Sequence, residues 1–390
     1  MGNEKAKARL RLSHPLQRST PHGKRRRPFD GVRHSRNRAF GLKLICHIGT
    51  PKTASTLIQN SFDANPHWLA DRGIAYGKLL APDPNHITLF FACASKLHDF
   101  ARDYGIRSMD ELRAFRTKLK DRMLWHIDQV NDFAHTMVMS SENLTGNMYH
   151  PDEIARLKEM LAPHFEDIKI VVYVRRQDDA ILSMYGEYMR RGFSAARFRD
   201  FVDVCLGPRS PTSYLYYRGQ LSKWIEVWGR ENIIVRRFAP GAFINGDILS
   251  DFMAIVQGSR EPDMDGFEIS TDDNRGLSAP ALEFLRQLQP HVPFIKDGQP
   301  NEQRTLLTPY ISLLPTKPRP VMDQALADHI MRRFGPANAW LKETFFPDLE
   351  GPFFPERPAR PEQGNLGQIS TQEFADLTGN LLSKIGIVKK

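Results

Sequence analysis

The sequence predicts an α/β fold: a central, mainly parallel sheet flanked by helices, with a helical C-terminal part. Three observations predict it. Short apolar or β-branched runs recur along the chain at the lengths of buried strands, as at Thr136–Ser140, Ile168–Val174 and Ile233–Phe238. Amphipathic helical stretches separate them, which is the alternation that builds a parallel sheet covered on both faces. Two of the runs end in turns carrying lysine, arginine and hydroxyl side chains, and in such sheets ligands bind outside the carboxyl ends of strands.

Residues 43 to 59, Lys-Leu-Ile-Cys-His-Ile-Gly-Thr-Pro-Lys-Thr-Ala-Ser-Thr-Leu-Ile-Gln, read as a buried strand, a tight turn and the start of a helix running to about Ala64. Ile74–Tyr76 is a short extended piece, followed by an Asp83-Pro84-Asn85-His86 turn. Ser108 to Val130 is a long amphipathic helix: Ser108 and Glu111 form a capping box, and Met109, Leu112, Phe115, Leu119, Met123, Ile127 and Val130 repeat at threes and fours. Thr136–Ser140 is a core strand. Pro151 to Leu161 is a helix entered through proline. The Ile168 strand and a helix after Arg175 come next, then a helix with an aromatic face from Tyr214 to Trp228 and the Ile233 strand. Asn274 to Ser278 opens a helix with Ala281, Leu282, Leu285 and Leu288 on one face. Residues 348 to 369, rich in Pro, Glu and Gly, read as a linker, and Thr371 to Ile385 as a short peripheral helix. The expected organisation is a basic tail at 1–40, a catalytic domain at 41–347, and a linker with its helix at 348–390.

The turn at Gly49–Thr56 has the layout of an anion cradle. Backbone N–H groups at a helix start, aided by the helix dipole, hold phosphate or sulfate, and Lys52, Thr53, Ser55 and Thr56 surround that start. A Walker A pattern fits only in part: Thr56 takes its final hydroxyl position, but Ala54 and Ser55 stand where glycine and lysine belong. A lysine at 52 lies over a group bound shallowly in the loop instead of reaching along the helix. The fold expected is therefore a three-layer P-loop-type fold with weak signals for an ATPase or GTPase.

Thr50-Pro51-Lys52-Thr53-Ala54-Ser55-Thr56 resembles the Pro-Lys-[Ser/Thr]-Gly-Thr-Thr loop of sulfotransferases that use 3′-phosphoadenosine-5′-phosphosulfate (PAPS). It departs from that loop at Ala54, where glycine is usual, and at Ser55, where threonine is usual. In the family an arginine at a strand end and a serine eight residues later hold the 3′-phosphate. Here Arg175 and Ser183 follow the Ile168 strand at that spacing, with Arg176 as the neighbour that takes over if the register shifts by one. Looser likeness to bacterial members continues to residue 347, including Asn274–Ser278 and Asn338–Pro347. The resemblance implies a PAPS-dependent sulfotransferase that releases adenosine 3′,5′-bisphosphate. It implies cofactor contacts from Pro51, Lys52, Thr53, Ala54, Ser55, Thr56, Arg175 and Ser183, and from Arg275 and Gly276 as a basic loop over the 3′-phosphate.

Sulfuryl transfer resembles phosphoryl transfer in relying on positioning and charge stabilisation. Lys52 is placed to meet the bridging oxygen as the leaving group gains charge. An acceptor hydroxyl needs a general base. Glu142, just past the Thr136–Ser140 strand, leads; His86 is the rival, with a competing role as a helix-start histidine. His47 reads as a packed core residue. Glu142 has a second reading as a metal-holding carboxylate in an ATP-dependent kinase acting on a small molecule or sugar, the alternative function. No metal site is expected, since no His/Cys cluster has zinc spacing. The expected acceptor is a saccharide or glycolipid, with residues 76–104 and 186–218 as candidate walls.

With 390 residues, 41% of them hydrophobic, the chain can bury a full core. The net charge of +9 is a property of the tail: residues 1–40 carry twelve Lys/Arg and two acids, a net +10, which leaves −1 for the rest. That tail is expected to be disordered, with weak contact to anionic membrane as its functional reading and no role as the other. No motif points to specific nucleic-acid binding. No run approaches the roughly 18 apolar residues of a membrane span, the N-terminus lacks a secretory h-region, and Cys46, Cys93 and Cys205 are spaced as core thiols. The expected location is cytoplasmic.

Overall fold

The computed structural model describes residues 41–385, apart from 82–83, 209, 272–275, 298 and 356. Five strands form one sheet: β1 (Lys43–His47), β2 (Ile74–Tyr76), β3 (Thr136–Ser140), β4 (Asp167–Val174) and β5 (Ile233–Arg237), in the order β2-β3-β1-β4-β5. Every pairing is parallel, with Lys43 opposite Thr136 on one side and Asp167 on the other. β1 is the switch point. From β1 the chain runs to β2 and β3 on one flank and then crosses to β4 and β5 on the other, so the loops after β1, β3 and β4 open on one edge of the sheet.

The period-2 alternation of the strands separates two cores. Leu44, Cys46, Met137, Met139, Ile170, Val172 and Val174 face one side. Ile45, Val138, Val171 and Tyr173 face the other, against Phe62 of the helix Ser55–Ala64 and Phe252 of the helix Ile248–Gln257. The sheet thus lies between two helical layers, the three-layer α/β arrangement expected of a sheet whose strands are apolar on both faces.

Local signals account for many element ends. Ser108 accepts the Glu111 N–H at 3.2 Å and starts the helix Met109–Val130, while the Glu111 carboxylate reaches back to the Arg107 N–H. Loss of such a cap costs about 1 kcal/mol. The stretch from Tyr214 to Trp228 is not one helix. A 3₁₀ turn at Ser213–Leu215 is followed by a break at Tyr216, and the α-helix runs from Tyr217 to Trp228. The break seats the Tyr217 hydroxyl on the Arg175 backbone, donating to its carbonyl at 2.7 Å and accepting its N–H at 3.0 Å.

Residues 348–369, expected as a linker, are packed onto the body as a strap. Phe353 and Phe354 are buried in the larger core, and Arg237 donates to the Phe353 carbonyl at 3.2 Å. The helix Thr371–Ile385 buries Leu377 and Leu381 in the same core. Proline-rich composition suggested a spacer, but two adjacent phenylalanines give this segment its own anchor. Among the described residues no helix is long and apolar enough to cross a membrane. The 1–40 tail lies outside the described residues.

Candidate active site

The loop after β1 is built around two left-handed residues, Lys52 (φ 69°) and Ala54 (φ 61°), separated by one of ordinary hand. Such alternation turns successive N–H groups to one side, a concavity suited to an anion. Ala54 therefore tolerates the positive φ that a glycine would take freely; a non-glycine residue there costs about 1–2 kcal/mol. Ala54 is also the N-cap of the helix Ser55–Ala64 and offers no side-chain acceptor, so the first-turn N–H groups are uncapped by it. Ser55 is buried, and its Oγ has no hydrogen-bond partner. A buried hydroxyl without a partner is costly, and one at a helix start is suited to an anion's oxygen. The Thr53 hydroxyl is spent on the Thr50 carbonyl at 2.6 Å, which ties the turn. Thr50 donates its hydroxyl to the Tyr173 carbonyl at 3.0 Å, which fixes the loop to β4. Pro51 is half-buried and Thr56 exposed.

Lys52 and Arg175 meet. The Arg175 Nη1 donates to the Lys52 carbonyl at 2.8 Å, and burial lowers the Arg175 pKa. Ser183 lies half-buried two turns into the helix Gln177–Arg191. Asp179, Ser183 and Glu187 share that helix face at i, i+4 and i+8, and the Lys52 Nζ donates to Glu187 Oε2 at 3.0 Å. Burial raises the Glu187 pKa, but Lys52 and Arg191 overcome it and hold the carboxyl down at about 2. Arg176 turns away to Asp178, at 3.0 Å, so Arg175 is the arginine at the loop.

Glu142 sits beside the same loop, as the N-cap residue of the short helix Asn143–Asn147. Its approach needs Gly49: a Cβ there would lie 2.9 Å from the Glu142 Cα, and Gly49 has φ 102°. Two neutral amides orient the carboxylate. Gln59 Nε2 donates at 3.1 Å, and Asn85 Nδ2 donates to both oxygens at 3.2 Å. Gln59 and Asn85 were not among the residues singled out from sequence. The Pro84-Asn85-His86 turn was noticed for its histidine, whereas its asparagine reaches the carboxylate.

His86 occupies the other role foreseen for it. It is fully buried, its Nδ1 accepts the Ser140 N–H at 2.9 Å, and its Nε2 donates to the Gly77 carbonyl at 2.7 Å. Burial lowers its pKa. Both ring nitrogens are thus engaged by backbone groups. His47 is likewise packed, and burial brings its pKa down to about 4. Arg275 lies outside the described residues, and Gly276 is exposed with open space around it. Among the described residues no group of three His, Cys, Asp or Glu side chains could hold a metal ion.

No family model and no curated protein matches the sequence. Among solved structures the chain is similar to a sulfotransferase from Alicyclobacillus acidocaldarius, at 15% identity over 58% of this chain and 86% of that one, with a TM-score of 0.35. A likeness this remote carries no argument about donor, acceptor or site.

Proposed function

We propose that the protein is a sulfotransferase that moves a sulfuryl group from PAPS to an acceptor hydroxyl on a carbohydrate or glycolipid. The observation that carries the reading is the convergence of three cationic and polar groups on one uncapped helix start. Lys52 is in the loop, Arg175 lies 2.8 Å from its carbonyl, and the buried Ser55 hydroxyl lacks a partner. The residues present fit a doubly phosphorylated nucleotide: loop N–H groups, Ser55 and Lys52 for the 5′-phosphosulfate, Arg175 and Ser183 for the 3′-phosphate. Lys52 is directed to Glu187 on a neighbouring helix instead of along its own, which favours this reading over the ATP-dependent kinase.

When bound, the donor supplies a sulfuryl group on a phosphate leaving group. Glu142, held by two amides and, among the described residues, by no cation, accepts the proton of the acceptor hydroxyl. Lys52 would release Glu187 to the donor and stabilise charge developing on its leaving group. The loop N–H groups and Ser55 hold the non-bridging oxygens in place. Support for a sugar acceptor comes from two partly exposed aromatic side chains: Phe193, whose ring lies under Arg191, itself paired with Glu187, and Tyr149, two residues after the helix Asn143–Asn147. Weak contact of the basic tail with anionic membrane is a separate part of the proposal and rests on its charge alone.

The test is thermal denaturation of the full chain with adenosine 3′,5′-bisphosphate, set against ADP and against ATP with Mg²⁺. A ligand at 100 times its dissociation constant stabilises the folded state by roughly 2.7 kcal/mol. The expected result is stabilisation by the bisphosphate, lost in Arg175→Ala. Stabilisation by ATP with Mg²⁺ alone would overturn the reading in favour of the kinase.

A further inference from the structure

Four guanidinium groups and two carboxylates crowd the start of the helix Gln177–Arg191. Arg176 Nε pairs with Asp178 at 3.0 Å. The strap adds two more arginines: Arg360 Nη2 reaches Asp178 at 2.7 Å and Asp179 at 3.1 Å, and Arg357 Nη1 reaches Asp179 at 2.5 Å. Arg175 makes no ion pair among the described residues; its Nη1 is on the Lys52 carbonyl. Among the described residues, four positive charges against two negative leaves an excess of two. Partly buried like charges without counter-ions are costly, and a phosphate monoester carries about −1.5 to −2 at neutral pH. The excess therefore matches one such group, at the place where a strand end and a helix N-terminus already favour an anion.

The strap holds its two arginines differently. Arg360 is the anchor: its side chain is 16% exposed, it bridges both carboxylates, and its backbone N–H is received by Gln324 Oε1 at 2.7 Å. Arg357 is 42% exposed and pairs, among the described residues, with Asp179 alone. It is also within Coulomb reach of Arg175, whose pKa it helps burial to lower, against Asp179. Asp179 is one helical turn before Ser183 on the same face. An arginine held by a single carboxylate beside an anion site can exchange that carboxylate for a phosphate at little cost, and its planar fork suits bidentate phosphate contact.

We infer that Arg357 is a second guanidinium ligand of the donor's 3′-phosphate, opposite Arg175, with Asp179 as its counter-ion when the site is empty. The inference rests on the sulfotransferase reading above. It gives the segment after the sheet domain a role in recognising the nucleotide, and it predicts that selectivity for a 3′-phosphorylated nucleotide depends on the strap.

The experiment is isothermal titration of the full chain with adenosine 3′,5′-bisphosphate and with adenosine 5′-monophosphate, on wild type, Arg357→Ala and Arg357→Lys. Arg357→Ala removes one half-exposed ion pair, which contributes little to folding, and circular dichroism verifies that it folds. The expected result is that Arg357→Ala weakens the bisphosphate at least tenfold and the monophosphate less than twofold, with Arg357→Lys in between. Unchanged affinity for the bisphosphate in Arg357→Ala overturns the inference while leaving the sulfotransferase reading intact. Equal weakening of both nucleotides also overturns it, because the effect then does not concern the 3′-phosphate. A wild-type chain that does not prefer the bisphosphate over the monophosphate overturns both.

Discussion

Replacing Glu187 by glutamine removes one negative charge and keeps the shape, so it separates two roles of the Lys52–Glu187 pair. The Glu187 carboxyl is held at about 2 against an ordinary 4.5. The side chains are 27% and 19% exposed, so solvent screening is modest. A depression of that size corresponds to about 3 kcal/mol of folding stability. Its sign is that of a carboxylate favoured in the folded state: the contribution is full above about pH 4.5 and shrinks as pH falls towards 2, to less than half by about pH 3. Glu187→Gln should therefore lower stability at pH 7 by about 1–3 kcal/mol, with a smaller difference at pH 3, in urea denaturation at both pH values. Its effect on binding has the opposite direction. Two anions sharing one ammonium at roughly 6–8 Å repel by about 2–3 kcal/mol at an effective dielectric near 20, and salt reduces this. Adenosine 3′,5′-bisphosphate should bind the variant roughly tenfold more tightly. A less stable variant that binds with wild-type or weaker affinity would refute the idea that the carboxylate competes with the donor for Lys52.

Two further outcomes follow from the loop. Glu142→Gln should lower acceptor-dependent turnover of labelled donor by about 10²–10⁴ while leaving bisphosphate affinity unchanged, and wild-type turnover in this variant would remove Glu142 from the mechanism. Ala54→Gly relieves about 1–2 kcal/mol of left-handed strain but adds about 0.4–1 kcal/mol of unfolded-chain freedom. Denaturation should thus find it unchanged or up to about 1.5 kcal/mol more stable, and a clear loss of stability would contradict the strain ascribed to Ala54.

The five strands were legible because strands buried on both faces must be apolar at nearly every position, and a run such as Ile168–Val174 shows that without a partner. The loop was legible for a similar reason: an anion cradle is a local object, written within Gly49–Thr56. What joins those pieces was not. Lys52 and Glu187 are 135 positions apart, and Glu142 meets Asn85 and Gln59 across 57 and 83. No periodicity encodes contacts of that span. The strap was obscured by its own composition, since prolines and glycines suggest a spacer while Phe353 and Phe354 do the anchoring. The break at Tyr216 was not legible, because nothing in an aromatic helical pattern marks where the helix must end for Tyr217 to reach Arg175.

The pairing of Arg360 with Asp178 spans 182 positions, and translation delivers its two halves in sequence. At ~5–20 residues per second, roughly 10–40 s separate their synthesis. During that interval Arg175 and Arg176 face Asp178 and Asp179 alone, and the cluster is electrically neutral. Arrival of the strap raises it by two positive charges. The excess positive charge of this cluster, among the described residues, is therefore completed last, after the sheet and its loop have been made.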